Sequence, residues 1–283
     1  MTESSFLDAP VTAGIIERRA DGYALVFDRP FDVPPAHVWD VLTDPDKVAR
    51  WLGTVEPGWH LGKEYRLDMG STKITGTVLQ MTPGLSLQFT WEDPLGDESV
   101  LDWQVLETRG GSLLQFRTFE DTADFLAEGA AGWQGILDAF DAVAAGRDPV
   151  GASMEQWQDL RDAYAEEFGV SPTMGHVDAE GIVFERWYAA DAGEAGTAVD
   201  RAASDLGLGG EASIEITDDA GRARVLVRQP AGGGNGGSEE VSGLLAVWHQ
   251  ALDAAGDHLA GNPWHPSSRR LAALKTFYGS GNL

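Results

Sequence analysis

The sequence predicts an α+β protein made in two rounds, each an antiparallel sheet followed by a long helix, with the second round shortened. Three observations carry this. Five segments between residues 63 and 119 alternate apolar and polar side chains; a helical apolar stripe bearing Trp133 follows them; and the chain then repeats itself. Alternation puts successive side chains on opposite faces of a strand, so one face is buried and an antiparallel sheet results.

Residues 14–31, "GIIERRADGYALVFDRPF", read as two strands meeting at the tight-turn dipeptide Asp21-Gly22, with Leu25, Phe27 and Phe31 on one face. Pro34-Pro35 stops the second strand. A helix follows from about Ala36, with Val38, Trp39, Val41 and Leu42 apolar, and breaks at Thr43-Asp44-Pro45-Asp46. Thr43 or Asp44 caps a second short helix ending on Trp51, Leu52 and Gly53, and Pro45 suits its first position, where no N–H is missed. The strands "KEYRLDM", "KITGTVLQM", "LSLQFTWE", "SVLDWQVLE" and "SLLQFRTF" come next, separated by Pro83-Gly84, Pro94 to Asp97 and Gly110-Gly111. A long helix is expected over Thr122 to Ala145, with Phe125, Trp133, Leu137 and Phe140 along one side. Gly129, Gly132 and Gly135 are costly inside a helix and predict a kink or a close approach to the sheet. A further amphipathic helix over Ser153 to Phe168 opens on a capping box of Ser153 and Gln156.

The repetition runs in order. "VFDRPF" returns as "VFERWY", with Arg29 answered by Arg186; "WQVLETRGGSLLQFR" is answered by "IEITDDAGRARVLVR", and "WQGILDA" by "WHQALDA", aligning Trp133 with Trp248. The tails "AGRDPVGAS" and "AGNPWHPSS" also correspond. Such self-similarity points to duplication of one unit. The second copy lacks the piece from around Trp51 through Trp59 and Tyr65 to about Trp91. The expected domains are therefore 1–150, a helical extension over 151–170, and a degenerate copy over 171–283. Lacking the middle strands, that copy is expected to enclose no comparable cavity, and to pack against the first copy or mediate dimerisation.

The chain has 283 residues, 43% of them apolar and 23% charged, an ordinary globular composition. Its net charge of -25 repels phosphate and argues against nucleic-acid and anionic-membrane binding, which need clustered Lys and Arg. There are no cysteines, so disulfides, thiolate metal sites and Cys nucleophiles are excluded. "MTESSFLDAP" has neither a basic n-region nor an apolar h-region, and no apolar run has the length of a membrane span; a cytoplasmic protein is expected.

The order of strand, broken helix, antiparallel strands and Trp-bearing helix resembles the START-like (SRPBCC) superfamily, and within it the branch homologous to the activator of the heat shock protein 90 ATPase. The residues that carry the likeness are Arg29-Pro30-Phe31, Val38-Trp39, Thr43-Asp44-Pro45, Arg50-Trp51, Gly76 to Val78, Pro83, Leu87, Phe89-Thr90-Trp91 and Gly132-Trp133, spread over about residues 14–145. The resemblance implies a helix-grip fold: a curved antiparallel sheet wrapped around the long C-terminal helix, with a cavity between them. It implies that Trp39 fills the structure while Trp51 lies nearer the cavity mouth, although for either indole alone core packing is the first account, since large aromatics usually dominate cores. The co-chaperone of this branch carries a separate N-terminal domain, whereas this chain begins almost directly on the first strand, so ancestry rather than ATPase activation is implied.

No enzyme motif is present. The six histidines show no metal-ligand spacing, so neither a metal nor a cofactor is expected. His60, beside Trp59, either lines a cavity or sits in a solvated loop. "AGGGNGGSEE" lacks the Lys-Ser/Thr of a phosphate loop and reads as a flexible connection. What remains is an aromatic set, Trp51, Tyr65, Phe89, Trp91, Trp103, Phe116 and Trp133, accompanied by Arg117. An apolar pocket with a few convergent polar groups is the general form of a small-molecule site. Arg117 either reaches an acidic or carbonyl group of a ligand or pairs with a surface carboxylate. Arg29 shares the apolar face of Leu25 and Phe27 and so requires a buried ion pair. The leading expectation is binding of a small apolar or aromatic molecule without chemistry. The alternatives are a cyclase, dehydratase or hydrolase acting on such a ligand, and a co-chaperone-like or structural module with its interior filled.

Overall fold

The computed structural model describes residues 13–70, 72–92, 98–208, 212–219, 221–230 and 238–279. The N-terminal decapeptide, the break from Pro94 to Asp97 and the glycine-rich connection over 231–237 lie outside these residues. The chain divides into two compact units. The first runs to Leu160, and the second takes in residues 124–128 and everything from Arg161 onward.

The first unit opens on the hairpin β1 (Ile15–Arg19) and β2 (Gly22–Phe31). Helix α1 (Pro35–Thr43) buries Val38, Val41 and Leu42, then stops at Asp44, whose backbone is extended. The Asp44 carboxylate accepts the N–H groups of Asp46 and Lys47 and so caps α2 (Pro45–Trp51). The remaining strands are β3 (Thr54–Glu56), β4 (Glu64–Asp68), β5 (Lys73–Thr82), β6 (Ser86–Glu92), β7 (Glu98–Thr108) and β8 (Gly111–Glu120). They form one eight-stranded sheet in the order β1-β2-β8-β7-β6-β5-β4-β3, antiparallel throughout. Alternation is visible along β8, where Ser112, Leu114, Phe116 and Thr118 are buried and the residues between them are half-exposed.

Helix α3 (Leu126–Ala144) lies on the buried face of that sheet, its Trp133 ring against Trp91, Trp103 and Phe116. It starts later than predicted because Phe125 has a φ of 61°, and a left-handed residue cannot enter a right-handed helix. The glycine expectation is also corrected. A Cβ placed on Gly129, Gly132 or Gly135 would meet nothing within 4 Å, so none of these residues makes a close approach to the sheet. Helix α4 (Met154–Phe168) opens on the predicted capping box: Ser153 N–H donates to Gln156 Oε1 at 2.9 Å, and Gln156 N–H donates to Ser153 Oγ at 3.2 Å.

The second unit contains β9 (His176–Asp178), β10 (Gly181–Tyr188), α5 (Ala192–Asp205), β11 (Ser213–Asp219), β12 (Arg222–Gln229), α6 (Ser238–Ala260) and α7 (Ser268–Gly279). Its four strands are ordered β11-β12-β10-β9 and are antiparallel. Phe184, Val225, Val227, Leu245, Trp248 and Leu252 form its core. Helix α5, capped by Asp191, was not expected from the sequence; its buried face is mostly alanine, with Val199 its one larger apolar residue.

Candidate functional site

Between the sheet and α3 the first unit holds a continuous run of aromatic rings. Trp91 meets Trp133 at 5.3 Å between centroids, Trp133 meets Phe116 at 4.4 Å, Phe116 meets Trp103 at 4.3 Å, and Trp103 meets Trp51 at 5.7 Å. Trp51 then meets Phe140 edge-on at 5.0 Å. Strand register explains the line. Trp103 and Phe116 are cross-strand partners on β7 and β8, and α3 brings Trp133 down onto them. Offset and edge-to-face pairs of this kind each contribute about 0.5–1.5 kcal/mol beyond area burial. Trp91 is half-buried and Trp133 is 9% exposed, so the run emerges at that end, while Trp103 and Phe116 are fully enclosed. Gly129, one turn ahead of Trp133 on the same helix face, borders open space.

Phe89 and Tyr65 belong to an adjoining cluster. Trp59 stacks on Phe89 at 4.6 Å and meets Tyr65 at 5.0 Å, and Tyr65 meets Phe89 at 5.4 Å. The Tyr65 hydroxyl donates to the Thr90 carbonyl at 2.7 Å, and burial pushes its pKa upward. Tyr65 also lines a trough of about 600 Å³ whose walls include Glu56, Glu64, Arg66, Glu92 and Glu98. That trough is polar and acidic, unlike the apolar cavity expected from the sequence.

The structure brings Trp51, Trp91, Trp103, Phe116 and Trp133 together, with Tyr65 and Phe89 beside them. It does not bring Arg117. That side chain alternates with Phe116 on β8 and lies on the opposite face, cross-strand from Val26 and Asp102. Of the two indoles of the broken helix, Trp39 is half-exposed and so does not fill the interior as the resemblance implied, whereas Trp51 is buried and donates its indole N–H to the Val41 carbonyl at 3.0 Å. His60 is exposed. Phe140 and Trp59 were not among the candidates. Phe140 could have been chosen from its helical spacing to Trp133, but nothing in the sequence shows that the loop holding Trp59 folds inward.

Arg29 is 2% exposed and donates through Nη1 to Asp138 at 2.8 Å and to Asp141 at 2.9 Å, the paired guanidinium that its position requires. In the second unit Arg186 donates to Asp253 at 3.1 Å. There His249 is fully buried, with Nδ1 at 2.7 Å from the Tyr278 hydroxyl and Nε2 at 3.5 Å from Asp253; burial, then Arg186 and Arg270, hold its pKa well below the ordinary value. Among the described residues no group of His, Asp and Glu could hold a metal ion, and no helix is long and apolar enough to cross a membrane.

A single antiparallel sheet closed against one long helix of this order makes the N-terminal unit a START-like, helix-grip domain. Within that class, residues 32–145 match the family model described as Activator of Hsp90 ATPase homolog 1-like protein. CalU16 from Micromonospora echinospora is 21% identical, with a TM-score of 0.49, covering 56% of this chain and 97% of its own. DynU16, described as a protein of the dynemicin biosynthetic locus, is 17% identical with a TM-score of 0.44 and covers 85% of this chain and 99% of its own. The protein encoded by BPP1335 of Bordetella parapertussis is 22% identical with a TM-score of 0.45, covering 56% and 93%. No curated protein matches the chain by sequence.

Proposed function

We propose that the N-terminal unit binds a small, largely apolar or aromatic molecule against the ring cluster between its sheet and α3. The observation that carries this reading is the run from the half-buried Trp91 and the marginally exposed Trp133 into the enclosed Phe116 and Trp103, beside the open space at Gly129 and Gly132. Apolar walls that reach the surface are what a small-molecule site presents. For an enzyme acting on such a ligand, neither Tyr65 nor His60 is placed as an acid or base. Tyr65 is committed to the Thr90 carbonyl with a raised pKa, and His60 faces solvent.

The test is titration with a panel of planar hydrophobic molecules, read as tryptophan emission. Saturable quenching is expected, weakened about tenfold or more by Trp133→Ala. Gly129→Met separates binding from folding. It should stabilise α3 by up to about 1 kcal/mol, since glycine is a poor helix former, while its side chain occupies the open space and weakens binding. Quenching that never saturates, or saturates identically in all three proteins, removes the proposal.

The second unit reads best as a shortened copy of the first. Its sheet order β9-β10-β12-β11 parallels β1-β2-β8-β7, as though β3 to β6 were removed, and Arg186 pairs with Asp253 as Arg29 does with Asp138. Trp248 and Asp253 are spaced along α6 as Trp133 and Asp138 are along α3.

A further inference from the structure

Strand β11 holds the place in the second sheet that β7 holds in the first, yet only one of its long sides is paired. By the repeat, residues 213–219 answer residues 102–108. In the first unit Asp102 and Gln104 pair with Gln88 and Ser86 of β6, and the Val105 N–H donates to the Leu85 carbonyl at 2.8 Å. In the second unit β11 ends the sheet, and β12 is its one strand partner among the described residues. Ser213, Glu215, Thr217 and Asp218 are exposed. An open edge is a template for another strand, and folded proteins usually blunt it. The other edge strands are blunted by shortness or charge: β3 and β9 have three residues each, and β1 has five, ending in Arg18-Arg19. Strand β11 has seven.

We propose that β11 docks against β11 of a second copy of this chain, antiparallel about a two-fold axis at Ile216. The acidic residues of the strand do not close its edge; they select the register. Inner-face residues meet inner-face residues only in registers that differ by an even number of positions, and like charges directly opposite are destabilising. Centring on Ile216 pairs all seven residues: Ser213 meets Asp219, Ile214 meets Asp218, Glu215 meets Thr217, and Ile216 meets its own copy. No acid then opposes an acid. Centring on Glu215 sets that carboxylate against itself, and centring on Thr217 sets Glu215 against Asp219. A two-fold contact is the commonest closed assembly. Joining two sheets of four strands gives eight, the number in the first unit. A cationic strand from an unrelated protein fits less well, because β12 already sets Arg224 and Arg228 cross-strand from Thr217 and Ser213.

Sedimentation of the full chain from about 1 to about 100 µM should show a monomer passing into a dimer. The net charge of -25 on each copy opposes association, so added salt should strengthen it. Thr217 is exposed, so its charge can be changed without entering the core. Thr217→Asp creates two opposed carboxylate pairs per dimer and should weaken association about tenfold, whereas Thr217→Lys, facing Glu215 of the other copy, should tighten it. Thr82→Asp and Thr82→Lys make the same charge changes at an exposed position of the first unit and should leave the constant within about twofold. The chain has no cysteine, so single thiols can be placed at will. Mild oxidation should join Glu215→Cys to Thr217→Cys faster than it joins either protein to itself, since the two positions lie opposite. A chain that stays monomeric at the highest concentration overturns the proposal. So does a dimer that responds to Thr217 no more than to Thr82, or thiols that join without that preference. In each case the binding function and the shortened-copy reading stand, since neither depends on the β11 edge.

Discussion

Arg29 shows what one residue does when its strand position and its chemistry conflict. It occupies the inner face of β2, and Nη1, the one nitrogen paired among the described residues, is held by two carboxylates on α3. Those carboxylates are unequal: the Asp138 side chain is 57% exposed and that of Asp141 is 31%. Burial raises the Asp141 pKa, and Arg29 opposes that rise. Removing the cation leaves two carboxylates that water can reach, whereas removing the carboxylates strands a buried charge. Arg29→Met is therefore expected to cost about 1 kcal/mol, and the double change Asp138→Asn with Asp141→Asn about 3 kcal/mol. Urea unfolding of the two proteins checks the order; equal costs would show that the guanidinium is rehydrated when its partners go.

Among the elements, the junction of β4, β5 and β6 is closely packed. Gly76 sits opposite Tyr65, and a Cβ there would lie 1.9 Å from the Thr90 carbonyl oxygen and 2.8 Å from the Tyr65 ring. The same carbonyl accepts the Tyr65 hydroxyl, so the ring crosses over the glycine to reach it. Gly76→Ala should therefore displace both neighbours and cost about 3 kcal/mol, the upper end for overpacking, seen as a lowered midpoint in thermal unfolding. A change under 1 kcal/mol would mean that the strand pair yields freely. The strands themselves were legible because β4 to β8 alternate so regularly. The break between α1 and α2 was legible because Asp44-Pro45 is both a stop and a cap. Three residues between Gly53 and Pro57 are too few to alternate, which hid β3. The orientation of Trp39 and Trp51 depends on the angle at that break, which spacing does not report, whereas alternation along β8 already sets Arg117 and Phe116 on opposite faces. The aromatic membership of the site could be read from residue type and strand parity; the inward loop carrying Trp59 and the open flank of α3 exist only in three dimensions.

At the scale of the whole chain, the two units keep the same kind of buried arginine–aspartate pair but surround it differently. The first sets aromatic rings beside Arg29, whereas the second sets an ionisable cluster beside Arg186. His249 on α6 faces Arg186 of β10, Asp253 of its own helix, and Tyr278 and Arg270 of α7, with the Phe125 ring stacked on it at 5.6 Å. Its folded pKa lies well below the ordinary 6.5, chiefly because charging it in a dry core is unfavourable. As pH falls below 6.5, the unfolded chain takes up this proton and the folded chain does not, so stability falls by at most about 1.4 kcal/mol per pH unit for this one group. His176, also lowered by burial, acts in the same direction. Asp253 acts in the opposite one. Its raised pKa means that the folded form takes its proton first, restoring stability as pH falls through that folded value toward 3.8. Thermal unfolding at pH 7.5, 6.5 and 5.5 should therefore show the transition of residues 161–283 moving down as pH drops. His249→Gln, which keeps a hydrogen-bonding partner for Tyr278, should flatten that slope. A parallel fall in the substituted and unsubstituted proteins would assign the acid sensitivity to other groups and leave His249 as a neutral strut for the C-terminal helix.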